Sequence, residues 1–297
     1  HGGMVKQVAF SPDGARLATA VNDGTVVVWD VARRSRSQVL TGHGAAVRAL
    51  AYGPDGRWLV SGSLDGSVIV WDLDRGAQLR RLRSGGGLID SLAISSDGAL
   101  IAALGADRKI LLWRTSDGAP LGELAGHGGE ITDVAFGPDA QTLVSTGDDG
   151  TAVIWNVQSR SRLRTLDTGA SPAYAASFSP DGRLVAVGGE SRDITVWDVA
   201  TGSRTAVLRS HTAAVSSLVF AAAHVGAGSL HEFTPLHLAK QLARLFADAL
   251  CVREVAGVLV GDAALVAGWR LAIERGGELG EVADTRVFGA LFVHVLH

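Results

Sequence analysis

Apolar residues along this chain come in runs of about six, the usual length of a strand, separated by polar turns that carry glycine. One stretch shows the pattern in full. Residues 47–52 (VRALAY) are mostly apolar and end in a Pro-Asp-Gly turn; residues 58–63 (WLVSGS) follow; then come a turn at Leu64-Asp65-Gly66 and residues 67–72 (SVIVWD). A more polar run, residues 78–83 (QLRRLR), completes the set. Asp-Gly between runs rich in β-branched residues signals a hairpin, because glycine accepts positive φ at little steric cost. Four such runs predict four short strands in an antiparallel meander. SVIVWD is apolar on both faces, so that strand should be covered on both sides; the arginine-bearing fourth strand should face water.

The pattern is periodic. Tryptophan recurs every 42 residues at Trp29, Trp71, Trp113, Trp155 and Trp197. The turn recurs in the same register as SPDG at 11–14, GPDG at 53–56, SSDG at 95–98, GPDA at 137–140 and SPDG at 179–182. Gly-His appears at 42–43 and 126–127, with His1 and His211 in phase. Three markers in one register define a structural repeat, with units 1–42, 43–84, 85–126, 127–168 and 169–210 and a partial sixth at 211–220. A lone four-stranded sheet cannot bury both faces. Sheets stacked face to face around a ring can, and that arrangement is a propeller.

VVVWD and VIVWD after Asp-Gly turns, and ITVWD in the fifth unit, resemble WD40 repeats, and the resemblance covers roughly residues 1–220. It implies an all-β WD40 propeller of at least five four-stranded blades. It also implies a buried tetrad of a histidine, a Ser or Thr on the second strand, an aspartate in the following turn and the tryptophan. By position these are His1, Thr19, Asp23 and Trp29 in the first unit. In the second they are His43, Ser61, Asp65 and Trp71, and in the fourth His127, Ser145, Asp149 and Trp155. The third unit keeps only Asp107 and Trp113, with Gly85 and Ala103 in the other places. The fifth keeps only Trp197, with Gly169, Val187 and Ser191 elsewhere. At about 1 kcal/mol net per lost hydrogen bond, these departures are tolerable.

The resemblance further implies that partners are engaged on the face made by the loops before the first strand and between the second and third. The positions turned toward the channel mouth are Lys6, Arg48, Asp90, Thr132, Tyr174 and Ser216. The neighbouring turns add Asn22, Leu64, Ala106, Asp148 and Glu190. One side of this rim reads as basic (Lys6, Arg48) and another as acidic (Asp90, Asp148, Glu190). The expected function is a non-catalytic scaffold, docking part or sensor that binds a protein or peptide, attached to a signalling NTPase, kinase or protease outside this chain. The alternative is an enzyme with its site at the channel mouth or in the C-terminal segment.

Composition narrows the chemistry. The net charge of −3 leaves no basic footprint for nucleic acid. Three lysines against 24 arginines, with many alanines, suggest a GC-rich bacterial gene. Cys251 is the sole cysteine, so no internal disulfide can form; residues 1–10 carry no secretory signal, and a cytoplasmic location is expected. His-Ser-Asp sets invite a triad reading, but they recur around a symmetric array and each is matched to a tryptophan, which argues for structure. Gly85-Gly86-Gly87 lacks the strand-to-helix context of a phosphate loop. His224, His231 and His237 lack metal-ligand spacing. No cofactor or metal is expected.

After 220 the register is lost. Ala221-Ala222-Ala223-His224 stands where the turn should be, and Ala239-Lys240 where Trp-Asp should recur. Apolar positions at helical spacing predict a helix over 235–250 and a second over 262–275, giving a mainly helical or irregular tail at 221–297. Three origins for it stay open: a small helical domain, a frameshifted or misjoined segment, or a membrane element over 255–273, the last opposed by Asp262 and Arg270. Five blades and a strand leave either a five-bladed ring or an open array, and the start on His1 favours a piece of a longer ring.

Overall fold

The computed structural model describes residues 2–209, 211–222, 255–259, 267–271 and 289–295. Blade 1 comprises β1 (Val5–Phe10), β2 (Arg16–Val21), β3 (Thr25–Asp30) and β4 (Ser35–Thr41); blade 2 comprises β5 (Val47–Tyr52), β6 (Trp58–Ser63), β7 (Ser67–Asp72) and β8 (Ala77–Arg83). Blade 3 has β9 (Leu92–Ile94), β10 (Leu100–Leu104), β11 (Lys109–Arg114) and β12 (Pro120–Ala125); blade 4 has β13 (Ile131–Phe136), β14 (Thr142–Gly147), β15 (Thr151–Asn156) and β16 (Ser161–Asp167). Blade 5 has β17 (Ala173–Phe178), β18 (Leu184–Gly189), β19 (Ile194–Asp198) and β20 (Arg204–Leu208). Each blade is an antiparallel meander in chain order. The meander expected for the second unit is found, with its outer strand starting one residue earlier, at Ala77.

The two-faced apolar pattern of the inner strands is explained by what lies on each side. In blade 2, Leu50, Leu59, Ile69 and Trp71 pack on Ala18, Ala20, Val26, Val28 and Leu40 of blade 1. The alternate residues Ala49, Val60, Val68, Val70 and Leu82 pack on Ile89, Leu92, Ile101, Ala103 and Trp113 of blade 3. The same arrangement joins blades 3 and 4, and blades 4 and 5. The core therefore lies between sheets, one slab per junction. First strands of successive blades touch, which makes β1, β5, β9, β13 and β17 the innermost strands.

At one end of the blades the turns between first and second strands, Pro-Asp-Gly in blades 1, 2 and 5, share one conformation. Gly14, Gly56, Gly98 and Gly182 all have φ near +70°, and Ala140 holds the same place in blade 4 at φ +58°. A left-handed conformation strains a residue with a Cβ by about 1–2 kcal/mol, partly offset when glycine loosens the unfolded chain. Ala140→Gly is therefore expected to stabilise the propeller by about 0.5–1 kcal/mol. A urea midpoint that stays put or falls would show that this turn carries no strain.

Beyond blade 5, β21 (Val215–Ala222) buries Val215 and Leu218 against Ala175, Ala186, Ile194, Val196 and Leu208. Its sheet is completed by β22 (Val255–Leu259), β23 (Ala267–Leu271) and β24 (Gly289–Val295) in the order β21-β24-β22-β23. This corrects the helix expected over 262–275, since residues 267–271 form a strand paired antiparallel with β22. A short apolar run does not distinguish helix from strand by periodicity; here the open edge of β21 supplies backbone partners for strands. The helix expected over 235–250 lies outside the described residues. Among the described residues no helix is long and apolar enough to cross a membrane.

Candidate functional site

Antiparallel order brings the start of the first strand, the end of the second, the start of the third and the end of the fourth to one end of each blade. The His-Ser-Asp-Trp sets lie beneath that end. In blade 2, His43 Nε2 is 2.7 Å from Ser61 Oγ, and Nδ1 is 3.3 Å from Asp65 Oδ2. Trp71 Nε1 donates to the same Ser61 oxygen at 2.7 Å. Blade 4 repeats this: His127 Nε2 to Ser145 Oγ 2.8 Å, Nδ1 to Asp149 Oδ2 3.1 Å, and Trp155 Nε1 to Ser145 Oγ 2.8 Å. Asp65 also accepts from the Gly44 and Ser67 backbone N–H groups and the Ser67 hydroxyl. A carboxylate that only accepts places the proton on His43 Nδ1, leaving Nε2 to accept from the serine.

The connectivity is that of a catalytic triad, and burial decides against it. Ser61 and Ser145 are 0% exposed, and each hydroxyl oxygen already receives an indole N–H. No substrate can reach that oxygen, so the geometry serves packing. Burial lowers the His43 and His127 pKa against the pull of their aspartates, which keeps both imidazoles neutral. Burial alone would raise the Asp65 and Asp149 carboxyls; hydrogen bonds from Ser67 and Gly44, and from Thr151 and Gly128, outweigh it and hold both well below the usual carboxylate range.

The other units differ. In blade 1, Trp29 Nε1 donates to Thr19 Oγ1 at 3.3 Å and Asp23 holds Thr25, while His1 lies outside the described residues. Blade 5 supplies a hydroxyl that sequence reasoning missed: Trp197 Nε1 donates to Thr195 Oγ1, 2.9 Å away on the tryptophan's own strand. A threonine two residues before the tryptophan, in a unit with valine at the serine place, was the available signal. In blade 3, Trp113 is buried by apolar neighbours, including Ile89 and Ile101.

Around the mouth, the structure rearranges the expected charge pattern. Arg48 Nε donates to Asp90 Oδ1 of the next blade at 3.0 Å, so the basic and acidic sides do not stand apart there. Thr132 Oγ1 lies 2.8 Å from Thr146 Oγ1 of its own blade and donates to the Ala173 carbonyl of blade 5 at 2.5 Å. The Tyr174 phenol donates to Glu190 Oε2 at 2.9 Å; that bond, burial and the charges of Glu190 and Asp148 raise its pKa. Lys6 is exposed, with Nζ 3.1 Å from Met4 Sδ. Asn22 and Asp148 are exposed and Leu64 half-buried.

Asp133 was not singled out by the sequence, although an acid inside the otherwise apolar run ITDVAF was visible. It ties three blades together: Ser91 Oγ of blade 3 donates to Oδ1 at 2.8 Å, and the Ala176 N–H of blade 5 donates to Oδ2 at 3.2 Å. Burial pushes its carboxyl up to about 6 despite these bonds. Gln7, three repeats earlier in the same register, accepts from Leu50 N at 2.6 Å between blades 1 and 2.

The family model described as "WD domain, G-beta repeat" matches residues 1–30, 34–72, 76–114, 118–156 and 160–198, more than half of the chain. The chain belongs to the WD40 repeat family. Each full match is offset from a blade: residues 34–72 take the outer strand β4 of blade 1 and the inner three strands of blade 2. Repeats of this family commonly mediate protein–protein interaction. A search of curated proteins found no match to the chain.

Proposed function

We propose that this chain is a non-catalytic interaction scaffold whose channel-mouth face binds a protein or peptide in the cytoplasm, as the docking or sensing part of a signalling protein. One observation carries the reading. Framework positions repeat from blade to blade, whereas the mouth positions of successive first strands do not: Lys6, Arg48, Asp90, Thr132 and Tyr174 all differ. A rigid repeating frame presenting a non-repeating rim is how scaffolds carry recognition. Arg48, Tyr174 and the exposed Asp148 and Glu190 are the residues assigned to contact. The absence of disulfide chemistry with a lone Cys251 suits a reducing compartment. The five-sheet frame is proposed to act as one unit over residues 1–220, with 221–297 as an appendage joined to it through the sheet of β21.

Arg48→Glu tests this. The Arg48–Asp90 pair is partly exposed, and such pairs contribute about 0–1 kcal/mol, so melting should change little. Affinity capture with quantitative mass spectrometry should show partners held by the parent and depleted about tenfold or more with Arg48→Glu and Tyr174→Ala, a loss of about 1.4 kcal/mol of binding. Equal retention by all three proteins would move the binding site off the mouth.

A further inference from the structure

The mouth face is divided in two along the order of the blades. Over blades 2 and 3 it carries the apolar Leu64, Leu88 and Ala106 together with the Arg48–Asp90 ion pair. The loop before β9 sits between two turns: Ile89 N donates to the Ser63 carbonyl at 3.1 Å, and the Ser84 hydroxyl donates to the Gly66 and Gly87 carbonyls at 3.0 and 2.6 Å. On its other flank, Gly87 lies close against the Gly105–Ala106 backbone. Leu88 therefore stands between Leu64 and Ala106, both half-buried, and is itself 56% exposed. A leucine held that far out on a braced loop leaves more than half of its surface open to an apolar contact.

Over blades 4 and 5 three of the four positions in the same register are acidic, the fourth being Pro172. Glu130 replaces Leu88, Asp148 replaces Ala106, and Glu190 follows one blade on. Backbone bonds fix these carboxylates at the mouth, with Asp148 N donating to the Glu130 carbonyl at 2.9 Å and Glu190 N to the Pro172 carbonyl at 2.9 Å. The cations nearby do not cancel them. Asp193 takes up Arg209 at 3.2 Å, while Arg108, bonded to the neutral Gly128 carbonyl at the boundary between the halves, and Arg192 keep their charges, two against the three carboxylates Glu130, Asp148 and Glu190. Tyr174, held on Glu190, adds an aromatic face to this half.

We propose that the occupant of the mouth is a linear peptide segment that carries an aliphatic or aromatic side chain and, a few residues further on, an arginine or lysine. The apolar residue covers Leu88 between Leu64 and Ala106; the cation meets Asp148 and Glu190, where Tyr174 can also take its alkyl or guanidinium surface. This rests on the mouth being the binding face, as proposed above, and adds the chemistry and orientation of what binds there. An acidic peptide would set carboxylate against carboxylate over blades 4 and 5, at a cost that discriminates partners.

The test is a displayed library of random linear peptides panned on the whole protein, followed by fluorescence anisotropy with the most enriched peptide. Enriched sequences are expected to pair an apolar residue with Arg or Lys. Leu88→Ser, an exposed change that should leave melting unaltered, is expected to weaken that peptide about fivefold, as half a leucine surface is no longer shielded from water. Asp148→Asn with Glu190→Gln should weaken it about tenfold and flatten its salt dependence. Enrichment of acidic peptides that are lost with Arg48→Glu but indifferent to the carboxylate changes overturns this inference and leaves the mouth as the binding face. A mouth binder unaffected by Leu88→Ser also overturns it. A library that yields no binder sensitive to any mouth substitution overturns the binding-face reading and this inference with it.

Discussion

Trp71→Ala is expected to destabilise the propeller by about 3–5 kcal/mol, the range for deleting a large buried aromatic side chain. The indole is 2% exposed and fills the slab between blades 1 and 2 against Leu59, Ile69 and Leu40. Its removal leaves a cavity and also takes the N–H from Ser61, whose oxygen then has only His43. Trp71→Phe separates the two contributions: it keeps most of the volume and loses the N–H, and should cost about 1–2 kcal/mol on that account. Urea unfolding monitored by far-UV circular dichroism measures both. A loss under 1 kcal/mol for the alanine variant would remove Trp71 from the core and with it the account of how the blades cohere.

Asp133→Asn is expected to stabilise the protein by about 2–3 kcal/mol near pH 7.5, from a carboxyl raised from 3.8 to about 6 at 1.36 kcal/mol per unit. The sign follows from proton binding. A carboxyl raised on folding contributes most favourably when protonated, below the unfolded value of 3.8, and that contribution is lost as pH rises through about 6. Asparagine is never ionised, so its advantage over the parent should be full above pH 7 and fade toward pH 4. The two buried histidines act oppositely: their lowered pKa values mean that stability falls as pH drops through 6.5. Only the difference between variant and parent therefore isolates Asp133. Chemical denaturation of both proteins at pH 4.5, 6 and 7.5 reads it. An advantage that does not change with pH would mean that Asp133 is not ionised and buried in the folded protein at neutral pH.

Much of the fold was legible in the chain because its signals are local and repeated. Asp-Gly turns such as Asp65-Gly66 set hairpin positions, and the two-faced apolar strand SVIVWD required sheets on both sides. The tryptophan step of 42 residues gave the unit, and the tetrad residues of blades 2 and 4 meet as the resemblance implies. Reading failed where a partner comes from elsewhere in space. Thr195 stands in for a missing serine because the two lie on neighbouring strands with side chains on one face, a substitution that position-by-position comparison cannot register. Arg48 and Asp90 read as belonging to different sides of the rim, yet residues 42 apart become neighbours when adjacent blades stack. The expected helix over 262–275 failed for a related reason: an apolar run takes the structure of whatever edge it pairs with, here β22 in the sheet of β21.

The sequence by itself therefore determined the strands, the turns, the repeat and the two-sided burial that forces sheets to stack, because each depends on residues close in the chain. Only the tertiary structure decided which mouth charges are neutralised, that the His-Ser-Asp sets are sealed from substrate, and that Asp133 bridges three blades. Those properties depend on distance and on exclusion of water across blade junctions, and neither is encoded at any single position.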